Sequence, residues 1–507
     1  MIEHNYIVAS SMNNGLAPRA KMRPNAPYLE VSQNLKGDAS GGLISPDAIT
    51  YPISGVSVSW PFPQLFRGEK TTILLGGTDG YTINESTWDK TAFAINPYTV
   101  GLSWQHASFQ ETWFATNGTQ LLYADVRNDH VPKGYTALTV RSLAAHQDRL
   151  FLAGLGGAHL SSNVWLALFD AWRKTRPDDQ VVHEDMAVGG NWVLWSQRGG
   201  GEHTWPFAPL LLALGFDSGE VYDPADDLAE YFREQIVSGE LGLSPCRWPG
   251  NILAMKPLGE YGLVLYGETG ISQLSPEQNA LGYREEKVHD IGLLSRNAIG
   301  GDNKEHVFLD QQRRLRHWRL GEGLRLMDYA HIFTESGGSP EILVSFDALQ
   351  REWWICDGTW SYIFDGEALY GPMDYKPTSL VNGADGQLAG PASGLTGPFT
   401  CIVRTCPLDL NERGLKHCPQ VSVSMRGLTA TKCWIEYANS NRNAYRPGRV
   451  VPMNYNGVGF PKTSFADGKL VVQGTSTGSA ELHRIDMRWQ AEDARYRRGT
   501  QAAPEVG

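Results

Sequence analysis

Residues 351–372, REWWICDGTWSYIFDGEALYGP, constrain the fold more than any other stretch, because aromatic-rich runs are cut twice by Asp-Gly in very little chain. The runs Glu352 to Cys356 and Thr359 to Phe364 are rich in Trp, Tyr, Ile and Phe, which fit a pleated strand better than a helix. Asp357-Gly358 and Asp365-Gly366 tolerate the positive φ angles of a tight type I′ hairpin turn. The spacing predicts a three-strand meander. In the second run Trp360, Tyr362 and Phe364 share one face; in the first, Trp353, Trp354 and Ile355 are apolar on both. A strand apolar on both faces belongs between two other layers. Small up-and-down sheets packed face to face around an axis supply those layers, so the stretch reads as a β-propeller blade.

Similar runs recur. TTILLGGTDGYTI from Thr71, ETWFATNGTQLLYAD with its Asn117-Gly118, HQDRLFLAGL, NWVLWSQ, NILAMKPLGEYGLVLYGETGISQLS and HVFLDQQRRLRHWRLGEGLRL all place turn residues between apolar runs. They predict a mainly β chain built on an irregular β-propeller of about five to seven blades. At 507 residues the chain exceeds one ordinary core, and its 55 glycines and 28 prolines suit many short strands joined by turns.

The expected divisions are an extended N-terminal arm over 1–50, the propeller over 51–381, a Gly- and Pro-rich linker over 382–398 and a β-sandwich over 399–507, where CIVRTC, VSVSM, KCWIEYA and KLVVQG alternate. Two helical insertions interrupt the propeller, around 161–176 and within 204–250. The first carries Trp165, Leu168, Phe169 and Trp172 on one helical stripe and ends at Pro177. In the second, Asp223 is placed as an N-cap, Pro224 follows it, and Leu228, Phe232 and Ile236 form the stripe before Gly239.

Signatures of chemistry are scarce. GTSTG at 474–478 fits the G-x-S-x-G nucleophile pattern, but it lies in a polar loop between strands where that motif needs a strand before and a helix after, so Ser476 reads as a chance match. CDGTW at 356–360 lacks the spacing of a sialidase Asp box. His183, Glu184 and Asp185 are consecutive, which spreads them apart instead of converging them on a metal. Cys401, Cys406, Cys418 and Cys433 contain no CxxC pair and read as buried free thiols, with a zinc site as the other reading. No catalytic, cofactor-binding or metal-binding residues are therefore assigned, no cofactor is expected, and the chain is expected not to be an enzyme.

The longest apolar stretch, Pro209 to Phe216, is far below the roughly 18 residues that span a bilayer. MIEHNYIVASSMNNG has no apolar core of the kind a secretory signal needs, so folding in a cytoplasm is expected. A formal net charge of -11 argues against coating nucleic acid. Arg313, Arg314, Arg316 and Arg319 with Trp318 form the densest basic patch; it reads as a phosphate contact, as an inter-subunit interface or as a solvated strand edge. Asp217 to Glu240 is its acidic counterpart, a solvated helix face or a docking surface for a basic partner.

Three regions carry a resemblance: Asn34-Leu35 followed by Gly42-Leu43 and Pro46; WPGNILAMKPLGEYGLVLYGETGI from Trp248 to Ile271; and LDLNERGLK from Leu408 to Lys416 with VPMNYNGVGFP from Val451 to Pro461. In these the chain resembles the propeller-type tail proteins of tailed bacteriophages, the hub, stopper or nozzle proteins of short-tailed phages. The four late cysteines and the helical insert around Trp165 to Trp172 depart from that pattern. The resemblance implies a structural virion protein of the tail, assembled in the host cytoplasm. Copies of it, about six or twelve, would form a ring beside the portal, an adaptor or neighbouring tail proteins, retaining packaged double-stranded DNA and later letting it pass. Two alternatives stand beside it. A propeller-type carbohydrate-active enzyme, a depolymerase or glycosidase, requires carboxylates converging at the propeller mouth. A kelch-like scaffold, suggested by Gly76-Gly77 with Tyr81 and Trp88, requires a fixed repeat that the sequence does not contain.

Overall fold

Six four-stranded antiparallel sheets follow one another along the chain in the computed structural model, each a simple meander. The structure describes residues 3–7, 12 and 14–46, 51–95 and 103–156 with short gaps, 190–196, 242–276 and 282–335 with one short gap, 341–391 with one, 397–438 without 411–413, and 444–491. Blades 1 to 6 occupy 64–94, 105–135, 139–245, 252–289, 299–327 and 343–370. A three-stranded sheet of Val381–Asn382, Leu388–Gly390 and Tyr51–Pro52 packs between blades 6 and 1. It closes the ring as a seventh, smaller blade, with the N-terminal Tyr51–Pro52 pairing in parallel with Leu388–Gly390. The fold is an irregular β-propeller carrying a β-sandwich.

The opening stretch forms most of blade 6. Glu352–Cys356 is buried throughout and lies between Leu343–Asp347 and Ser361–Phe364, with Trp353 opposite Phe346 on one side and Phe364 on the other. The Asp-Gly turns differ from type I′. Asp357 and Trp360 close a two-residue loop, and of its central residues only Gly358 has positive φ (86°), as in a type II′ turn. The aspartate sits one place earlier and caps the loop: its Oδ1 accepts from the Thr359 and Trp360 N–H groups at 2.8 and 2.9 Å. Asn117-Gly118 repeats the device, with Asn117 accepting from the Thr119 and Gln120 N–H groups.

The sandwich is built from both ends of the chain. One seven-stranded sheet combines Glu3–Ile7, Lys36–Gly37 and Leu43–Ile44 with Lys416–Arg426, Val458–Gly459, Thr463–Phe465 and Glu481–Ala491. The facing six-stranded sheet combines Leu29–Gln33 with Phe399–Thr405, Thr429–Ala438, Arg446–Pro447, Val451–Pro452 and Asp467–Ser476. The arm over 1–50 is therefore structural in its described part, with Leu29, Leu35 and Leu43 fully buried. Lys36–Gly37 and Leu43–Ile44 are too short to show periodicity, and the long C-terminal strands supply the ladders that the arm joins. The linker over 382–398 likewise begins as strand: Leu388 and Ala389 are buried in the seventh blade.

Ala330–Glu335 is a short helix after blade 5. The helical insertion expected around 161–176, the part of the one expected over 204–250 that precedes Gly242, the His183–Asp185 run and the acidic stretch 217–240 lie outside the described residues; Gly242–Pro245, within the second range, is the last strand of blade 3. All six cysteines are buried free thiols. Burial pushes the thiols of Cys401, Cys406, Cys418 and Cys433 up to about 12, so they remain protonated and unreactive.

Candidate functional site

The first strands of blades 1 to 5 line a cavity of about 350 Å³ on the propeller axis. Its wall includes Phe66, His106, Ser108, Ala144 and Lys256, and Arg296 and Asn297 lie at its base. Arg296, just before the inner strand of blade 5, reaches the opposite side of the ring. Its Nη1 donates to the Ser103 carbonyl (2.9 Å) and its Nη2 to those of Thr116 (3.1 Å) and Arg141 (2.5 Å), the latter also accepting from Nε (2.9 Å). Gln105 Nε2 returns bonds to the carbonyls of Arg296 (2.9 Å) and Leu253 (2.8 Å), and Asn297 Nδ2 donates to Ser103 Oγ and the Trp104 carbonyl. Blades 2, 3, 4 and 5 are thus tied together across the axis, which closes it at the end where the inner strands begin.

Burial dominates the electrostatics. It lowers the Arg296 guanidinium to about 9, with Glu341 opposing the shift and Arg141 adding to it. It lowers His106 to about 4 and moves the Lys256 ammonium below its usual range. The His106 ring stacks on Phe66 at 5.4 Å and its Nε2 lies 3.3 Å from Ser108 Oγ. Nothing local marks Arg296, a lone arginine in the run Leu293-Leu294-Ser295-Arg296-Asn297, for this role. Lys256 did carry a signal: it is the one charge inside the apolar strand Ile252–Leu258.

The arginine patch is not a free basic surface. Asp310, whose side chain is 1% exposed, accepts from Arg314 Nε at 2.8 Å and Arg316 Nη2 at 2.9 Å. Glu305 accepts from His317 (2.7 Å), Arg319 (3.1 Å) and Arg351. Burial pushes the Glu305 carboxyl up, but bonds from Arg351, His317 and Arg319 outweigh it and hold the group at about 2. Arg313 donates to the Phe333 carbonyl at 3.3 Å. Trp318 is in the core, edge-on to Tyr266. The buried carboxylates Asp310 and Glu305 hold these partly exposed arginines, and the Glu305–Arg351 pair joins blade 5 to blade 6.

Ser476 is buried, and its hydroxyl faces the carbonyls of Gly478 and Ser479 instead of a base. Among the described residues no group of His, Cys, Asp and Glu is arranged to hold a metal ion. Among them also, no helix is long and apolar enough to cross a membrane.

The three resembling regions lie at joints. Asn34, fully buried at φ 57°, donates to Asp374 Oδ2 (2.6 Å) and the Thr400 carbonyl (2.8 Å) and accepts from the Asp374 N–H (2.7 Å), fastening arm, propeller end and sandwich. Trp248 donates to Ser272 Oγ at 2.7 Å and lies flat on Gly267 and Gly270, where a Cβ would stand 2.0 and 2.4 Å from the indole. Only glycine fits there, which explains the spacing of the WPG and YGETG elements. Asp409 and Leu410 donate through their N–H groups to Asn25 of the arm at 3.1 and 2.9 Å.

No protein-family model matches the chain, and no curated protein matches it. Among solved structures it is similar to PorZ, a surface component of the type-IX secretion system of Porphyromonas gingivalis, at 10% identity and a TM-score of 0.33, over 67% of this chain. The similarity spans 35% of PorZ's length. It is also similar to the Swd1 β-propeller domain of Myceliophteria thermophila (8% identity, TM-score 0.35, 69% of this chain and 94% of that one). A third is the Pan2 WD40 domain of Neurospora crassa (9%, 0.33, 63% and 82%). The propeller assignment stands on the succession of four-stranded sheets, not on these likenesses.

Proposed function

We propose that this chain is a structural protein of a phage tail, a hub, stopper or nozzle, whose copies form a ring that retains packaged DNA and lets it pass during ejection. The observation that carries the reading is where the resembling segments sit. Asn34, Trp248 and Asp409 fasten arm, blades and sandwich to one another and do not surround a cavity. A motif set placed at joints serves a frame, whereas an enzyme's motifs converge on its site.

Passage of a duplex belongs to the ring of copies, because Arg296 and its partners cross the axis of the single propeller. A formal net charge of -11 suits a wall that repels the phosphate backbone and guides DNA without gripping it. The carbohydrate-active alternative requires two carboxylates at the axial mouth. Among the described residues none lines the cavity, which favours the structural reading.

Immunogold electron microscopy of purified particles, with antibody raised against this chain, tests the proposal. Label confined to the tail end is expected; particles that contain no label after tail disruption would overturn it.

A further inference from the structure

We propose that the axial cavity is a binding site for a small oxyanion, a phosphate or a carboxylate, recognised by Lys256. The cavity of about 350 Å³ is within the range that holds small ligands. Its lining contains three cations, Arg67, Lys256 and Arg296, and among the described residues no carboxylate.

The three cations differ in what already occupies them. Arg67 pairs with Glu85 at 3.2 Å and donates to the carbonyls of Asn382 and Gly383. Arg296 is held by backbone carbonyls, so its donors are largely used while its charge has no ion-pair partner among the described residues. Lys256 has neither a hydrogen bond nor an ion pair among the described residues, although its side chain is half-buried in the wall. Taking an ammonium out of water without a partner is costly, and an anion in the cavity would remove that cost.

The surroundings suit an oxyanion. Arg296 adds positive potential at the closed end, while Ser108 and His106 offer neutral polar groups on the wall. Apolar Phe66, Ala144 and Met255 also line it, lowering the polarity of the wall around the cations.

Isothermal titration calorimetry on the full chain, with inorganic phosphate and separately with succinate at low ionic strength, tests it. Saturable binding of at least one anion is expected, and which one binds separates a phosphorylated from a carboxylic ligand. Lys256→Met is expected to weaken it by about tenfold or more, while Lys432→Met, at an exposed lysine of the sandwich, leaves it unchanged. If Lys256→Met does not fold, protection of the Lys256 amine from acetylation by the same anions, read by mass spectrometry, replaces it. No saturable binding of either anion, equal affinity in Lys256→Met, or no protection would overturn the proposal.

Discussion

Lys36 of the N-terminal arm donates to both carboxylate oxygens of Glu352 in blade 6, at 2.7 and 2.8 Å, with both side chains buried. The pair joins the first strands of the sandwich to the wall of the propeller, beside Gly37, where a Cβ would stand 2.3 Å from the Tyr370 hydroxyl. Removing one partner leaves a buried charge uncompensated. Lys36→Met is expected to cost about 3–5 kcal/mol, while Lys36→Met with Glu352→Met costs less than the sum of the single changes. A double-mutant cycle by urea unfolding checks this; additive losses would show that the two groups are not coupled.

Trp354 is 4% exposed and meets Tyr375 edge-on at 5.8 Å. Trp354→Ala is expected to lose about 3–5 kcal/mol through lost transfer energy and a residual cavity. Equilibrium denaturation measures it, and a loss below about 1 kcal/mol would contradict the buried position.

Arg296 holds the cross-axis contacts through a planar fork that lysine cannot reproduce. Arg296→Lys is expected to destabilise nearly as much as Arg296→Met, by about 2–4 kcal/mol, because carbonyls of blades 2 and 3 lose their donors. Hydrogen exchange should rise around 103–116 and 139–146 in both variants. Full rescue by lysine would show that charge alone matters.

Burial lowers both His106 and His306 to about 4, and His306 is further fixed between the Tyr266 hydroxyl (2.7 Å) and the Pro257 carbonyl (2.9 Å). Their folded values lie below the unfolded value of about 6.5, so the unfolded chain takes up protons first as pH falls. Stability is full above about pH 6.5 and declines towards pH 4, by at most about 1.4 kcal/mol per pH unit for each histidine. His306→Gln should flatten that decline in pH-dependent chemical denaturation; an unchanged slope would mean the ring is not buried neutral.

Blade 6 was legible because its strands are aromatic and bounded by Asp-Gly, so one local pattern specifies both strand and turn. The turn type was misplaced by one residue, since Asp357 acts through its side chain while Gly358 supplies the positive φ. The arm was not legible. Lys36–Gly37 and Leu43–Ile44 are two-residue strands whose ladders come from Glu481–Ala491 and from each other, and no local pattern records a partner so far along the chain. The arginine patch was visible as charge, but its neutralisation by Asp310 and Glu305 depends on side-chain direction. Arg296 gave no signal, because its partners are backbone carbonyls, which every residue has.

As proposed, the chain is a tail component present in fixed copy number. Quantitative mass spectrometry of nuclease-treated, density-purified particles, scaled to the major capsid protein, tests it most directly. About six or twelve copies per particle is the expected result for a closed ring; absence of the chain from the particles would contradict the account.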